Sequence, residues 1–341
     1  MQATNEKFFC SGKLKYAANH NFYIPRLERL MQARANWKSP FLAARRKKQD
    51  NIGGEIVKQA ADYALLIASE DRKGIVAAVA NSIVSQDCNI VESAQFRDCD
   101  SNRFFMRVAI SCPDAMTVER FTEAFTPVAA AFQLDWSIQN LRRKIRAMIM
   151  MSQGGHCLND LLYRTSTKRL PIDVTSVVSN HTTWQRRVEH EGLPFHHLPV
   201  TPEDKEEQEK RLLQLVEDEQ VDLIILARYM QILSDNLCQK LDGRVINIHH
   251  SFLPGFKGAK PYHRAHERGV KMVGATAHYV TADLDEGPII TQDVSIVDHS
   301  DSVEDLIAQG QDTESRVLAR AVKLHSEHRV MLNGNRTVIF K

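Results

Sequence analysis

The sequence has little of what marks a secreted, membrane or nucleic-acid-binding protein. Lysine plus arginine number 44 and aspartate plus glutamate 42, which leaves a formal net charge of +2. This balance is not that of a polyelectrolyte, so we expect no nucleic acid partner. Every apolar stretch is broken by a charge, a glycine or a proline, so we expect no membrane segment.

Cysteine is also scarce, and its residues form no CxxC pair. The six cysteines are Cys10, Cys88, Cys99, Cys112, Cys157 and Cys238. No signal-peptide pattern precedes them, so this usage predicts reduced thiols in a cytoplasmic protein rather than a disulfide framework or a zinc site.

Residues 1–58 differ in composition from the rest of the chain. They are rich in lysine and arginine, including the run Arg45–Lys48, and poor in acidic residues, without clear periodicity. We expect a basic, weakly ordered extension. Such a segment is typical of an organelle transit peptide, which leaves a mitochondrial location open, and equally of a solvated extension or an upstream start of translation.

From Tyr63 the sequence alternates between short apolar runs and amphipathic segments. The predicted elements are a strand at 63–69, a helix at 75–86, half-buried strands at 89–97 and 104–110, a helix at 117–130 and a strand at 134–137. Helical periodicity places Ile75, Val79 and Ile83 on one face. The order βαββαβ predicts a ferredoxin-like α+β domain over residues 59–140.

A second pattern begins after the basic segment NLRRK. Short apolar runs are separated by long helical stretches, and they lie at 144–151, 173–179 and 221–227. Buried strands that alternate with helices indicate an α/β domain with a mostly parallel sheet over residues 141–341. Near its end, RVMLNGNRTVIF predicts a hairpin around Asn333–Asn335.

Polar residues are concentrated between Val245 and Asp293, beside predicted strands. Asn247 and His249 are two residues apart on one strand, so both side chains point to the same face. An amide can donate to a carbonyl oxygen that gains negative charge, and an imidazole can move a proton near neutral pH. Asp285, after the next strand, can stabilise the protonated imidazole and orient a water. By spacing alone, hydrogen-bonded residues at loop ends are the more common explanation.

The motifs NIHHSFLP and LDEGP closely resemble the signature of the folate-dependent formyltransferase family. The resemblance implies a Rossmann-like second domain in which Asn247 and His249 polarise a formyl group and Asp285 positions the attacking water. It also places Leu253–Pro254 in a turn type that accommodates a cis peptide. The segment LARYMQILS resembles the family's folate-contacting segment. Substrate contacts are therefore implied for Met230, Gln231, Ile232, Leu233, Val280, Thr281, Ala282, Asp283 and Leu284.

The first βα turn of the second domain, SQGGHCLNDLLYR, separates two branches of this family. Transferases acting on glycinamide ribonucleotide have a glycine-rich phosphate loop here. His156 and Cys157 replace small polar residues, and HCLxDLL together with the pair His249–His250 resembles the formyltetrahydrofolate deformylases. This resemblance implies that His156 and Cys157 contact the substrate.

The deformylase resemblance implies a hydrolase that uses water to release formate and tetrahydrofolate from 10-formyltetrahydrofolate. No tightly bound cofactor is implied, because the folate is substrate and product. The products would serve one-carbon and purine metabolism. Formyl transfer to an amine such as glycinamide ribonucleotide is the alternative.

The segment EDRKGIVAAVA, followed by Asn89, resembles an ACT module, a small domain that often binds amino acids. Deformylases of this type have such a module. The resemblance implies that Asp71, Gly74 and Asn89 contact an effector such as glycine or methionine, and a purely structural role in dimerisation is equally consistent with it. Pairing of ACT modules implies a homodimer or a tetramer.

Several histidines raise the question of a metal site. The histidines concerned are His249, His250, His263, His266 and His278. No carboxylate or cysteine spacing supports metal binding, so we predict no metal. His196 and His197 have no evident chemical partner and are expected at the surface or in packing.

Overall fold

The computed structural model describes residues 60–255 and 261–341. The predicted basic extension, residues 1–58, lies outside the described residues. A four-stranded sheet and a seven-stranded sheet organise the described chain, and a two-stranded hairpin follows them. Within these residues no helix is both long and apolar enough to cross a membrane.

The first sheet is the predicted βαββαβ unit, with strand order β2-β3-β1-β4. Its elements are β1 (Tyr63–Glu70), α1 (Ile75–Ser85), β2 (Asn89–Asp98), β3 (Arg103–Ser111), α2 (Val118–Phe132) and β4 (Asp135–Asn140). Ile75, Val79 and Ile83 of α1 are buried in one core with Phe121 and Phe125 of α2, as helical periodicity predicts. The ferredoxin-like α+β fold of this part is confirmed.

Cys88 and Cys112 form a disulfide, so the prediction of reduced thiols is wrong for this pair. Cys88 directly precedes β2 and Cys112 directly follows β3, and their neighbours Asn89 and Ser111 are partners in the antiparallel ladder. The two cysteines therefore lie opposite each other, with Cα atoms 4.3 Å apart. Sequence spacing did not reveal this, because the pair meets only when the two strands align. Cys99, exposed, and Cys157 and Cys238, both buried, are free.

The second sheet has the strand order β11-β10-β9-β8-β5-β6-β7. The pairs from β9 through β7 are parallel, and β10 and β11 extend one edge in antiparallel fashion. Its strands are β5 (Ile145–Met151), β6 (Ile172–Ser179), β7 (Phe195–His197), β8 (Leu223–Leu226), β9 (Val245–His249), β10 (Met272–Tyr279) and β11 (Ile289–Ile296). The predicted mostly parallel α/β sheet is confirmed.

Helices cover both faces of this sheet. They are α3 (His156–Ser166), α4 (Gln185–His190), α5 (Lys205–Asp218), α6 (Asp235–Lys240), α7 (Pro261–Glu267) and α8 (Val303–Ser326). In the central strand β5, Ala147 and Ile149 belong to a core shared with α3 and α8, whereas Met148 and Met150 belong to a core shared with α5 and α6. This double cover explains why β5 has no polar face.

The predicted hairpin forms β12 (Val330–Asn333) and β13 (Arg336–Ile339), with Gly334 at φ 59° in the turn. Val338 and the following Phe340 pack on Phe105 in the first sheet. Strand β3 is therefore buried on both faces, and the prediction of a half-buried strand is wrong there. The second face of β3 is covered by residues more than 200 positions later in the sequence. The alternation of apolar and polar residues within β3 cannot indicate such a distant contact.

Helix α8 ends against the first sheet through Arg107 of β3. This buried arginine donates from Nε to the carbonyl of His328 and from Nη2 to the carbonyl of Glu327, both at 3.0 Å. Carbonyls at a helix C-terminus carry partial negative charge, so a guanidinium there is stabilising. Burial lowers the pKa of Arg107, and Glu92, 3.5 Å away, opposes that shift.

Candidate active site

The end of β9 brings Asn247 and His249 to the edge where the parallel strands finish. In the ladder with β10, Asn247 lies opposite His278 and His249 lies opposite Thr276. The two residues share one face, as their spacing predicts, and His249 is 5% exposed. An amide and an imidazole therefore meet in a largely buried position.

Asp285 joins them from the loop between β10 and β11. Its Oδ1 lies 3.2 Å from Nδ1 of His249. The hydrogen bond from His249 lowers the pKa of Asp285, against an opposing effect of burial, so the carboxyl group is ionised at neutral pH. Its φ of 59° lies in the left-handed region, which aspartate tolerates better than most residues. The three residues predicted to be catalytic are thus brought together.

His278 is a further member of this group that the sequence reasoning did not assign to it. Its Nδ1 donates to the carbonyl of Tyr279 at 2.8 Å, and its Nε2 lies 3.2 Å from Nδ2 of Asn247. Burial lowers the pKa of His278, which favours the neutral ring. With its proton on Nδ1, Nε2 must accept from the amide, and this fixes which way the Asn247 side chain points.

His249 keeps one ring nitrogen for chemistry. Nδ1 faces Asp285, and Nε2 is buried without a hydrogen-bond partner among residues 60–255 and 261–341. A buried polar atom without a partner costs about 1–3 kcal/mol, so such atoms in native proteins call for a functional explanation. Nε2 is the nitrogen that can reach a reacting group.

A cavity of about 490 Å³ opens beside these side chains. It is lined by the predicted folate segment Met230–Leu233, the predicted loop 280–284, and Asn247, His249 and Asp285. Arg228, His250, Pro261 and His278 line it as well. Met230, Ile232 and Leu284 are between 58% and 61% exposed, so large apolar side chains border an open cavity.

His156 and Cys157 are not among the residues that line this cavity, and their contact with the substrate stays a prediction. Cys157 is fully buried at the start of α3, and burial raises the pKa of its thiol, so it is a packing residue. His156 Nε2 instead pairs with the buried Glu314 of α8 at 2.8 Å.

The glycines of the first βα turn are also engaged by packing. A Cβ atom on Gly155 would lie 2.0 Å from the ring of Trp184, whose Nε1 donates to the carbonyl of Gln153 at 2.8 Å. The indole therefore covers this turn. Gly155 is required for the close approach of the ring.

One group of possible metal ligands occurs in the part of the chain that the structure describes. It consists of His156, Cys157 and Glu314, with ligand atoms within 4.8 Å of one another. The oxygens of Glu314 already accept hydrogen bonds from His156 and Tyr262, and Arg228 adds a positive charge 3.4 Å away. These donors favour a hydrogen-bonded cluster over a metal site.

His196 has a partner that the sequence did not reveal, because its Nε2 pairs with Glu219 at 2.9 Å.

The turn after β9 is fixed by a buried threonine. Thr276 Oγ1 donates to the carbonyl of Ser251 at 2.9 Å and accepts from the amide of Leu253 at 3.1 Å. The Leu253–Pro254 peptide is cis, in agreement with the predicted turn type.

The three predicted effector residues do not surround one place within a single chain. Asp71 and Gly74 lie at the start of α1, and Asp71 pairs with Arg97 at 2.9 Å. Asn89 begins β2, just beyond the other end of α1. A helix of 11 residues is about 16 Å long, so one small ligand cannot contact all three in the same chain.

The formyl transferase family matches residues 145–322, a range that contains every strand of the second sheet. The formyltetrahydrofolate deformylase of Corynebacterium sp. (strain P-1) is 47% identical over 282 residues, which cover 82% of this chain and 98% of that relative. The chain belongs to the formyltetrahydrofolate deformylase family.

Solved structures agree with this family assignment. The crystal structure of a formyltetrahydrofolate deformylase from Burkholderia mallei has a TM-score of 0.79 and 46% identity, and covers 82% of this chain and 100% of that one. Glycinamide ribonucleotide transformylase 1 from Symbiobacterium toebii has a TM-score of 0.55 and 32% identity, and covers 60% of this chain and 97% of that one. The similarity to the deformylase covers more of the chain than the similarity to the transformylase, and it includes residues of the first sheet.

Proposed function

We propose that this chain hydrolyses 10-formyltetrahydrofolate to formate and tetrahydrofolate in the cavity beside Asn247, His249 and Asp285. The observation that carries the proposal is the contact of His249 Nδ1 with Asp285 Oδ1 at 3.2 Å, with the Asn247 amide next to it in a cavity of about 490 Å³. Family membership supplies the substrate, since the relatives are formyltetrahydrofolate deformylases.

The folate ring system lies between Met230–Leu233 and the loop 280–284. The exposed apolar side chains of Met230, Ile232 and Leu284 offer contact area to a flat ring, and burying apolar surface contributes roughly 25 cal/mol per Å². Backbone groups of the loop offer donors and acceptors to the polar ring edge. The formyl group then points to Asn247 and His249.

Asn247 and His249 stabilise the negative charge that develops on the formyl oxygen. One N–H of the Asn247 amide is directed to His278, and the other is left for the oxygen. Protonated His249 donates from Nε2, and the ionised Asp285 balances its charge at Nδ1. Preorganised donors of this kind are each worth about 10²–10³ in rate.

The reaction proceeds by addition and collapse. Water held by Asp285 forms a bond from its oxygen to the formyl carbon, the carbonyl electron pair moves to oxygen, and Asp285 accepts the water proton. The oxyanion then reforms the carbonyl, the carbon–nitrogen bond breaks, and the folate nitrogen takes the electron pair and the proton held by Asp285. The formic acid loses its remaining proton to solvent, and formate and tetrahydrofolate leave.

Replacing Asp285 with asparagine tests this assignment. The amide keeps the size of the side chain but neither balances protonated His249 nor accepts the water proton, so we expect kcat to fall at least about 100-fold. Folate binding, measured by fluorescence titration, should change little. Asp293→Asn is the matched control, because Asp293 lies on β11 outside the cavity and pairs with Arg316 of α8. Near-normal turnover of Asp285→Asn overturns the proposed role.

The acceptor of the formyl group distinguishes hydrolysis from the alternative, formyl transfer. The hydrolase releases formate from 10-formyltetrahydrofolate in buffer without an amine, whereas a transferase needs glycinamide ribonucleotide or another amine. The packing of Trp184 on the first βα turn favours the hydrolase. The indole ring occupies the space beside Gly155, so this space is filled by packing and is not open to a ligand.

Regulation by an amino acid stays a prediction of the ACT resemblance. Its test is the formate-release assay with glycine or methionine added, on the chain and on Asp71→Ala. An effector changes the rate of the first and not of the second. A purely structural module leaves both rates unchanged, and light scattering then reports whether the chain is a dimer or a tetramer.

A further inference from the structure

A chain of charged and polar side chains connects α8 to the histidines of the proposed active site. Glu314 of α8 is 1% exposed. Its Oε1 accepts from the hydroxyl of Tyr262 at 2.6 Å, and its Oε2 accepts from His156 Nε2 at 2.8 Å. Burial opposes ionisation, but the hydrogen bond from His156, the charge of Arg228 and the hydrogen bond from Tyr262 together lower the pKa of Glu314. Glu314 is therefore a buried carboxylate.

The helix is shaped to hold Tyr262 in this position. Gly310 precedes Glu314 by one turn of α8, and a Cβ atom on Gly310 would lie 2.2 Å from the Tyr262 hydroxyl. The tyrosine ring therefore lies directly on the helix backbone, and its hydroxyl reaches the carboxylate. The absence of a side chain at Gly310 allows this contact.

Arg228 lies between Glu314 and His250. Its Nε is 3.4 Å from Glu314 Oε2, and its Nη1 is 2.6 Å from Nδ1 of His250. Its backbone has φ 67°, and its carbonyl accepts from the amide of Ser152 at 3.2 Å, so the arginine is fixed at both ends. This conformation is uncommon for residues other than glycine.

The contact with Arg228 sets the state of the His250 ring. A guanidinium carries only donors, so Nδ1 of His250 must offer a lone pair and the proton of the neutral ring must be on Nε2. His250 is stacked on His249, with ring centroids 4.7 Å apart and 20° between their planes. Two protonated rings at this distance would repel each other.

We propose that Arg228 and Glu314 are positioning residues that keep His250 neutral, so that the positive charge of the stacked pair resides on His249 beside Asp285. Within residues 60–255 and 261–341, the charged or titratable groups that contact the pair include Arg228 after β8, Asp285 in the β10–β11 loop and His278 on β10, with Glu314 and His156 behind Arg228. The guanidinium of Arg228 lies at Nδ1 of His250, whereas the carboxylate of Asp285 lies at Nδ1 of His249. The inference rests on the proposed function of His249 and Asp285.

The direct test is the protonation state of His250, followed by NMR of the full chain with ¹⁵N-labelled histidine between pH 5 and 8. The His250→Asn variant identifies the signals. We expect His250 to stay neutral with its proton on Nε2 near pH 6, and to titrate in Arg228→Gln. A proton on Nδ1, or the same titration with and without Arg228, overturns the proposal.

Kinetics provide the second readout. We expect Arg228→Gln to lower kcat about 10-fold or more with KM changed less than about 3-fold, because the variant removes the charge at His250 Nδ1 and keeps every side chain proposed to contact the folate ring. Arg228→Lys should recover part of the rate, since it keeps the charge. Glu314→Gln should act in the same direction as Arg228→Gln, because Arg228 loses its anchor.

Arg164→Gln is the matched control, since it breaks a partly buried arginine–carboxylate pair, with Asp160, outside the cavity. Its kcat and its His250 signals should be those of the unaltered chain. If Asp285→Asn is inactive while Arg228→Gln retains full turnover and an unchanged His250, the positioning role fails and the proposed function stands. If Asp285→Asn is fully active, the proposed function itself fails.

Discussion

Replacing Gly287 with alanine tests how firmly the loop that carries Asp285 must be held. A Cβ atom at this position would lie 1.8 Å from the carbonyl oxygen of Tyr279, and real Cβ atoms essentially never come closer than 3.0 Å to such an atom. Going from 1.8 to 3.0 Å requires the loop or β10 to move by at least 1.2 Å. The amide of Tyr279 donates to the carbonyl of Pro288 at 3.0 Å, so a movement of the loop away from β10 breaks this hydrogen bond.

The movement is large compared with the geometry of the site. Asp285 lies two residues before Gly287, and its contact with His249 is 3.2 Å. A displacement of this size takes the pair out of hydrogen-bond range, and a misplacement of about 1 Å costs on the order of 100-fold in rate. We therefore expect kcat/KM for formate release to fall about 100-fold in Gly287→Ala, with the circular dichroism spectrum unchanged.

The control is Gly154→Ala, since a Cβ atom there meets its nearest neighbour at an ordinary 3.5 Å. It should fold and turn over as the unaltered chain does. Full activity of Gly287→Ala would contradict this prediction, because it would show that Asp285 does not depend on the close approach of this loop to β10.

Two further expectations concern stability. Burial lowers the pKa of both His325 and His328 to about 4, from 6.5, so the unfolded chain binds more protons between these values and the fold loses stability as pH falls. From pH 7 to pH 5 we expect a loss of about 2 kcal/mol for each histidine, and a urea midpoint that does not move over this range contradicts it. Phe340→Ala should cost about 3 kcal/mol in the same assay, because its ring is buried on Phe105. Leu332→Ala, at an exposed position, should cost less than about 0.5 kcal/mol, and equal losses would contradict the packing role.

Local periodicity was sufficient for most of the fold. The helix carrying Ile75, Val79 and Ile83 and the central strand β5 are governed by which faces they bury, and that is visible over a few residues. Local periodicity predicted neither the burial of both faces of β3 nor the Cys88–Cys112 disulfide. Both depend on pairing between segments that are distant in sequence or only meet after strands align.

Some residues of the proposed site could be predicted from local sequence, and others could not. Asn247, His249 and Asp285 stand in short motifs, so the sequence could place them together before the structure did. His278, Arg228 and Glu314 have no local signal, because their contacts depend on the register of β10 against β9 and on the path of α8. His278 alone was within reach, since a strand following NIH that returns antiparallel brings its alternate residues opposite Asn247.

The packing of Phe340 on Phe105 also orders events during synthesis. The first sheet and its two helices leave the ribosome early, yet one face of β3 has no cover until residues 338–340 have been made. Arg107 likewise lacks these hydrogen-bond acceptors until Glu327 and His328 have been synthesised. A nascent chain stopped anywhere in the second sheet therefore exposes the apolar back of the first one. The first sheet is therefore completed only after the whole second sheet has been synthesised.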